Sequence, residues 1–288
     1  MDVLNPSPAL CLPQAMWIIH RTIMDNPDLS KDQVLNLVTP TSMRSAIPQS
    51  GAHADRALHG LREFGLVHRD SDDLHSAETV RDVADFMRRL RHRLVVPPET
   101  IGQEAEGAPD LRRGLVWLMR QIPTQPLHWR DTQTSMPAGL FTNDTRWNGF
   151  SWWSQALGFS RPALKIMVPA KQNATGRIVA DPTDAVVDVI SHPVGPPLPI
   201  GEQIPVQQFL DFLRSELPVL PGHPHATYDG LEEDVDTGMR ALGLALSCAE
   251  ERGVLSMTYQ SDPSGVVALP DARDHGRDRY VSAVTIGG

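Results

Sequence analysis

Apolar residues recur at helical spacing through most of this chain and at strand spacing in only a few short stretches. Over 13–24, Ala15, Met16, Ile19 and Ile23 fall on one face behind Pro13, which suits a first helical turn, and Asn26-Pro27 ends the run. Ser30, followed three residues later by Gln33, forms a capping box that opens a short helix with Val34, Leu35 and Val38 before Pro40. After a polar loop the pattern predicts a third helix over 52–64, with Ala54, Leu58, Leu61 and Phe64 inward and Gly65 at a left-handed C-cap. Residues 66–68 then read as a strand, 70–73 as a tight turn and 74–75 as the return strand. Helix, short helix, helix and hairpin in this order is the signature of a winged helix-turn-helix.

The pattern continues with a helix over 77–95 capped by Ser76, with Val80, Val83, Ala84, Met87 and Leu90 inward and Pro97-Pro98 closing it. Residues 101–109 read as a loop, 111–122 as a helix, and 123–137 as irregular and proline-rich. Asn143 or Asp144 caps the next helix, in which Trp147, Phe150, Trp153 and Leu157 recur at helical spacing and read as core; Gly158 ends it. Asp181 and Asp184 fit a loop and a helix N-terminus ahead of 185–190, and 192–205 is a proline-rich linker.

The C-terminal part repeats the first theme. An amphipathic helix over 206–217 carries Val206, Phe209, Leu210 and Leu213 inward, and a second candidate recognition helix spans 237–252. Its exit aligns with the first: residues 61–67 match 249–255, so that glutamate, glycine and the following apolar pair fall in register. Segments 256–260 and 266–269 around the turn 261–265 predict a second hairpin. The expected fold is mainly α (α+β), with tandem winged helix-turn-helix modules at 1–76 and 205–288 flanking a helical middle region at 77–192.

Candidate chemistry concentrates on the third helix. Its outward face carries His53, Arg56, His59 and Arg62 at successive i,i+3 spacings, one stripe of donors able to reach phosphates or base edges in a major groove. The same stripe also suits a plain solvated face, and acidic residues Asp70, Asp72 and Asp73 in the adjoining turn would repel phosphate. Arg88 and Arg89, with Arg91 and Arg93, either extend that surface or simply complement the C-terminal end of their helix dipole.

Charge sharpens this assignment. The chain has a net charge of −9, but residues 1–130 hold 15 Lys/Arg against 16 Asp/Glu whereas 131–288 hold 11 against 19. The N-terminal half is therefore the better polyanion binder, and the C-terminal module, acidic at Glu232, Glu233, Asp234 and Asp236, suits a protein contact. No apolar run is long enough for a membrane span, and residues 1–12 carry Asp2 and two prolines where a secretory signal would carry basic residues, so a cytoplasmic location is expected. Cys11 and Cys248 have no partner motif, which argues against a disulfide framework or a zinc site.

A catalytic reading finds no phosphate loop, GxGxxG, HExxH or GxSxG, and neither Lys165 nor Lys171 follows an acidic residue at the spacing of a magnesium nuclease strand. No catalytic, cofactor-binding or metal-ligating residue is assigned. His192, His223 and His225 read as surface histidines, and the three aspartates at 181, 184 and 188 as structural.

Two winged modules around a helical region that holds Asn143-Asp144-Thr145-Arg146-Trp147 and Leu157-Gly158-Phe159 resemble the DpdG-like proteins, found with bacterial systems that modify or restrict DNA containing 7-deazapurines. The resemblance implies a defence-associated component acting with partner enzymes and supplies no active-site residues. The expectation is a non-catalytic DNA-binding adaptor, its N-terminal winged helix on double-stranded DNA and its C-terminal module on a protein partner, with no cofactor. A purely structural scaffold subunit and a dimeric transcriptional regulator are the competing expectations.

Overall fold

The computed structural model describes residues 1–7, 9–46, 49–70, 73–96, 107–227, 231, 235–260, 265–270 and 277–287. Helices dominate, joined by small antiparallel sheets, so the chain is α+β. It divides into two units: residues 1–112 with 141–157, and 113–140 with 158–288. The expected closures at Pro97-Pro98, most of the loop over 101–109, the tip of the first hairpin at 71–72, the acidic residues 232–234 and most of the turn 261–265 lie outside the described residues.

In the first unit, α1 (Pro13–Asp25) buries Met16, Ile19 and Ile23 as its periodicity predicts. Helix α2 (Lys31–Val38) begins at a complete capping box: Gln33 N–H donates to Ser30 Oγ at 3.5 Å, and Ser30 N–H donates to the Gln33 side-chain oxygen at 2.8 Å. The polar loop expected next contains a further short helix, α3 (Thr41–Ala46). Helix α4 (Gln49–Glu63) packs on α1 and buries Leu58 and Leu61, with Phe64 closing the same face just beyond its end.

The end of α4 is closed by a Schellman motif. Leu66 N–H reaches back to Leu61 O at 2.9 Å and Gly65 N–H to Arg62 O at 3.0 Å, with Gly65 at φ +67°. The buried pair Leu61 and Leu66 completes the motif and aims the chain into β1 (Val67–Asp70), which pairs antiparallel with β2 (Asp73–Ser76), His68 opposite His75.

The helix expected over 77–95 is shorter. Helix α5 (Val83–Val95) starts at Asp82, whose carboxylate accepts from Asp85 N–H at 2.9 Å, while Ser76 spends its hydroxyl on Glu78 O. Val83 and Ala84 consequently point outward, and the buried face is Phe86, Leu90 and Leu94. An aspartate at the helix start outcompetes the earlier serine because Ser76 is committed to ending β2.

Helix α6 (Pro109–Leu118) relaxes into i→i+3 turns from Arg120 on, ahead of Pro123, rather than continuing to 122. The proline-rich stretch after it holds one short helix, α7 (Trp129–Thr132). Asn143 caps α8 (Asp144–Ala156), its Oδ1 accepting from Arg146 N–H at 2.9 Å. The aromatic stripe of α8 is core: Trp147, Phe150 and Trp153 are at most 1% exposed, each contributing about 2–3 kcal/mol by burial. Trp153 Nε1 donates to Cys11 O at 2.9 Å, which ties α8 to the N-terminal segment of the same unit.

The second unit pairs β3 (Ser160–Pro162) with β4 (Ile178–Ala180), followed by α9 (Thr183–Ser191). Strand β5 (Gln203–Pro205) leads into α10 (Val206–Glu216), which buries Val206, Phe209, Leu210 and Leu213 as expected. Helix α11 (Val235–Glu251) packs on α9 and ends in the same motif as α4: Val254 N–H bonds Ala249 O at 3.0 Å and Gly253 N–H bonds Glu250 O at 2.9 Å.

The strands after α11 pair differently from the expected hairpin. Strand β6 (Leu255–Thr258) pairs with β9 (Ala283–Ile286), whose other edge takes β5, while β7 (Val267–Pro270) pairs with β8 (Asp278–Val281). The run 278–286 supplies both β8 and β9, turning at buried Ser282, whose N–H bonds Thr258 O at 2.9 Å and whose Oγ accepts from Gln260 N–H at 2.8 Å. Its Tyr, Val and Ile content is a strand signal that the turn composition at 261–265 overshadowed.

Candidate nucleic-acid interface

The α4 stripe divides in two. His53 sets Nδ1 against Leu10 O at 2.9 Å, and Arg56 donates from its guanidinium to Asp2 O at 3.0 Å. Both side chains are half-buried and hold the segment 1–12 against α4, where Cys11 also lies. His59 and Arg62, one and two turns nearer the C-terminal end, are exposed. Their positions are fixed from below by the Leu58–Leu61–Phe64 face and from the end by the Schellman motif, so the free half of the stripe sits beside the entry to β1.

Arg88 and Arg89 sit in a carboxylate network. Arg88 bonds Asp85 at 3.2 Å with its side chain only 13% exposed. Arg89 pairs with Glu78 and lies 3.4 Å from Asp85; Arg93 also bonds Glu78, at 3.0 Å. Burial would raise the Glu78 and Asp85 carboxyls, but the arginine partners, joined at Asp85 by the Arg81 N–H, outweigh it and hold both below their usual range. The two carboxylates thus hold these arginines in place and offset part of their charge, and Glu78 and Asp85 are the residues a one-dimensional reading missed. Asp85 had one sequence signal, its i,i+3 and i,i+4 spacing to Arg88 and Arg89, whereas Glu78 lies 11 and 15 residues from its partners and had none.

In the second unit, Asp181 faces Arg161 at 3.0 Å, and Asp184 faces Arg161 at 2.7 Å and Arg252 at 3.0 Å. Asp181 also accepts from Thr183 N–H at 3.0 Å, as the loop-and-helix-start reading requires. His192 lies 3.5 Å from Asp188, and His223 and His225 stack with ring centroids 5.4 Å apart. Among the described residues no group of three or more His, Cys, Asp or Glu is placed to hold a metal ion. Cys11 is buried in apolar surroundings, which push its thiol up to about 12. Among the described residues no helix is long and apolar enough to cross a membrane.

The fold and these surfaces define a helix-rich α+β protein in which a helix–hairpin unit near the N-terminus carries exposed His59 and Arg62. The chain belongs to the DpdG-like family, whose model matches residues 1–263. Membership suggests a role in the Dpd 7-deazaguanine DNA modification system of bacteria. No curated protein and no solved structure matches the chain.

Proposed function

We propose that the protein is a non-catalytic, DNA-contacting adaptor of the Dpd system that works in the cytoplasm without a cofactor. In this reading residues 1–76 form a winged helix that lays α4 on double-stranded DNA, 77–192 form a helical middle region, and 205–288 form a second module that meets a protein partner. The carrying observation is the exposure of His59 and Arg62 on a helix that runs through a Schellman turn into an antiparallel hairpin. Arg56, steered by Asp2 O, supports the same face from behind. The acidic balance of 205–288, 6 Lys/Arg against 13 Asp/Glu, favours a protein rather than a nucleic acid as the second module's partner.

One observation favours a scaffold without DNA contact: Arg88, Arg89 and Arg93 are paired with Glu78 and Asp85, which offset part of their charge and weaken the basic extension of the α4 surface. Fluorescence-anisotropy titration of the full chain with a labelled random duplex at low and near-physiological salt separates the two. The adaptor reading expects binding that weakens steeply with salt and is reduced by the double change His59→Ala, Arg62→Ala. Absence of binding at every salt, with a protein partner co-purifying, would establish the scaffold.

A further inference from the structure

Strands β3 and β4 enclose a loop, 163–177, that has a core of its own. Ala163, Val168 and Val179 are buried together, with Met167 and Ala174 packed against them. Arg177, with its side chain 11% exposed, ties the base of the loop: it bonds Asp131 at 2.5 Å, Gln172 Oε1 at 2.9 Å and Asn173 O at 3.0 Å. The loop backbone is therefore held in place, which lowers the ordering cost of binding through its outer surface.

That outer surface has an unusual composition for this half of the molecule. Residues 160–177 contain Arg161, Lys165, Lys171 and Arg177 and no Asp or Glu, within a half whose balance is −8, and two of the chain's three lysines are here. The two arginines are taken up by Asp131, Asp181 and Asp184. Lys165 and Lys171 are exposed, and the Lys165 ammonium donates to Gln172 O at 2.6 Å, which places it beside the Lys171–Gln172 peptide. Flanking Lys165, Leu164 is 65% and Ile166 is 90% exposed, the latter held out on a single 3-10 turn, Lys165–Met167.

Apolar tips between cations, on a rigid support, match a partner that is negatively charged and offers an apolar slot between its charges. We propose that the loop 163–177 is a duplex-DNA contact in which Lys165 and Lys171 meet backbone phosphates and Ile166, with Leu164, presses as a wedge into the minor groove. Minor-groove wedges of Ile or Leu partly unstack a base step and bend the duplex, and the flanking cations neutralise the phosphates brought together by the bend. The choice of duplex over other polyanions rests on the Dpd role proposed above; the loop surface itself is independent of α4.

The full chain is titrated with a doubly labelled duplex whose end-to-end energy transfer reports bending, alongside vesicles of anionic phospholipid. Lys165→Gln with Lys171→Gln is expected to weaken duplex binding on the order of tenfold at low salt and to lower the salt slope by about two. Ile166→Ser, at a site with no packing to lose, is expected to leave most of the affinity and abolish the bend. The proposal is overturned if these variants match the parent on duplex in affinity, slope and bending, or if they change binding to vesicles instead. The His59→Ala, Arg62→Ala variant runs in parallel: loss there with intact loop behaviour sinks only the loop, the reverse sinks only the α4 reading, and a parent chain that ignores duplex sinks both.

Discussion

His20, fully buried on α1, meets the hydroxyl of Ser76 at the end of β2 across 2.9 Å. Ser76 gives its own proton to Glu78 O at 2.7 Å, so the imidazole must donate from Nε2 and leave Nδ1 as a bare, buried acceptor with no partner among the described residues. The ring is enclosed by Phe86 at 5.1 Å between centroids. Burial lowers its pKa to about 4, with Glu78 opposing the shift and Arg89 adding to it.

The first prediction follows from the sign of that shift. Because the folded pKa lies below the unfolded value of 6.5, the unfolded chain binds the proton more readily in the window between them. The contribution is fully present above pH 6.5 and is lost as pH falls towards 4, by up to about 3 kcal/mol. Urea unfolding at pH 7.5 and pH 5 should show the drop for the parent chain and a much flatter response for His20→Gln; equal slopes for both would place the acid sensitivity elsewhere.

A second prediction concerns Asp110. Its carboxylate accepts from Leu4 N–H at 2.8 Å, Val3 N–H at 3.3 Å and Leu111 N–H at 2.9 Å, and the side chains of Val3 and Leu4 are fully buried. Burial raises its pKa, with the nearby Asp2 charge adding to the effect, so the group tolerates ionisation only because these amides receive it. Asp110→Ala strands buried donors at about 1–3 kcal/mol each. Hydrogen exchange at the Val3 and Leu4 amides should accelerate before any global loss of structure, and Arg56 should lose its hold on Asp2 with it.

Much of this was legible in the chain, and the boundary is physical. The Ser30–Gln33 capping box, the Gly65 turn, the α1 face and the α8 aromatic core follow from local spacing, and each is present as read. Features that depend on a distant competitor were not. Asp82 displaced Ser76 as a cap because Ser76 was committed to Glu78, and β6 took β9, 25 to 31 residues away along the chain, rather than β7. For the candidate site, the i,i+3 stripe was correctly placed on one helix, but that Leu10 and Asp2 carbonyls would occupy His53 and Arg56 is a contact across more than 40 residues, invisible to periodicity.

Two glycines allow a third prediction that separates strain from crowding. Gly65 at φ +67° closes α4, and Gly158 at φ +82° follows α8. Alanine at either pays for the left-handed backbone, about 1–2 kcal/mol. At Gly158 the added Cβ would also sit 2.8 Å from Ala185 N, a backbone atom that cannot swing away. Gly158→Ala should therefore lower the midpoint of thermal unfolding distinctly more than Gly65→Ala; a matched pair of midpoints would mean the α9 backbone yields.

Arg62 and Arg89 carry the same charge and sit on helices of the same unit, yet their surroundings predict opposite consequences. Arg62 is exposed near the end of α4, so Arg62→Ala removes one cation from the surface proposed for DNA and little packing. Arg89 is bonded to Glu78 and close to Asp85, so Arg89→Ala leaves two carboxylates short of a partner. If phosphate attraction depended on the summed charge of the unit, the two variants would weaken duplex binding alike. If it depends on which cations remain uncompensated, Arg62→Ala lowers the salt slope by about one while Arg89→Ala leaves binding near the parent's and lowers stability instead. Parallel anisotropy titrations and unfolding curves distinguish these cases, and an Arg89→Ala variant that folds normally but loses DNA would return the Glu78 network to the interface.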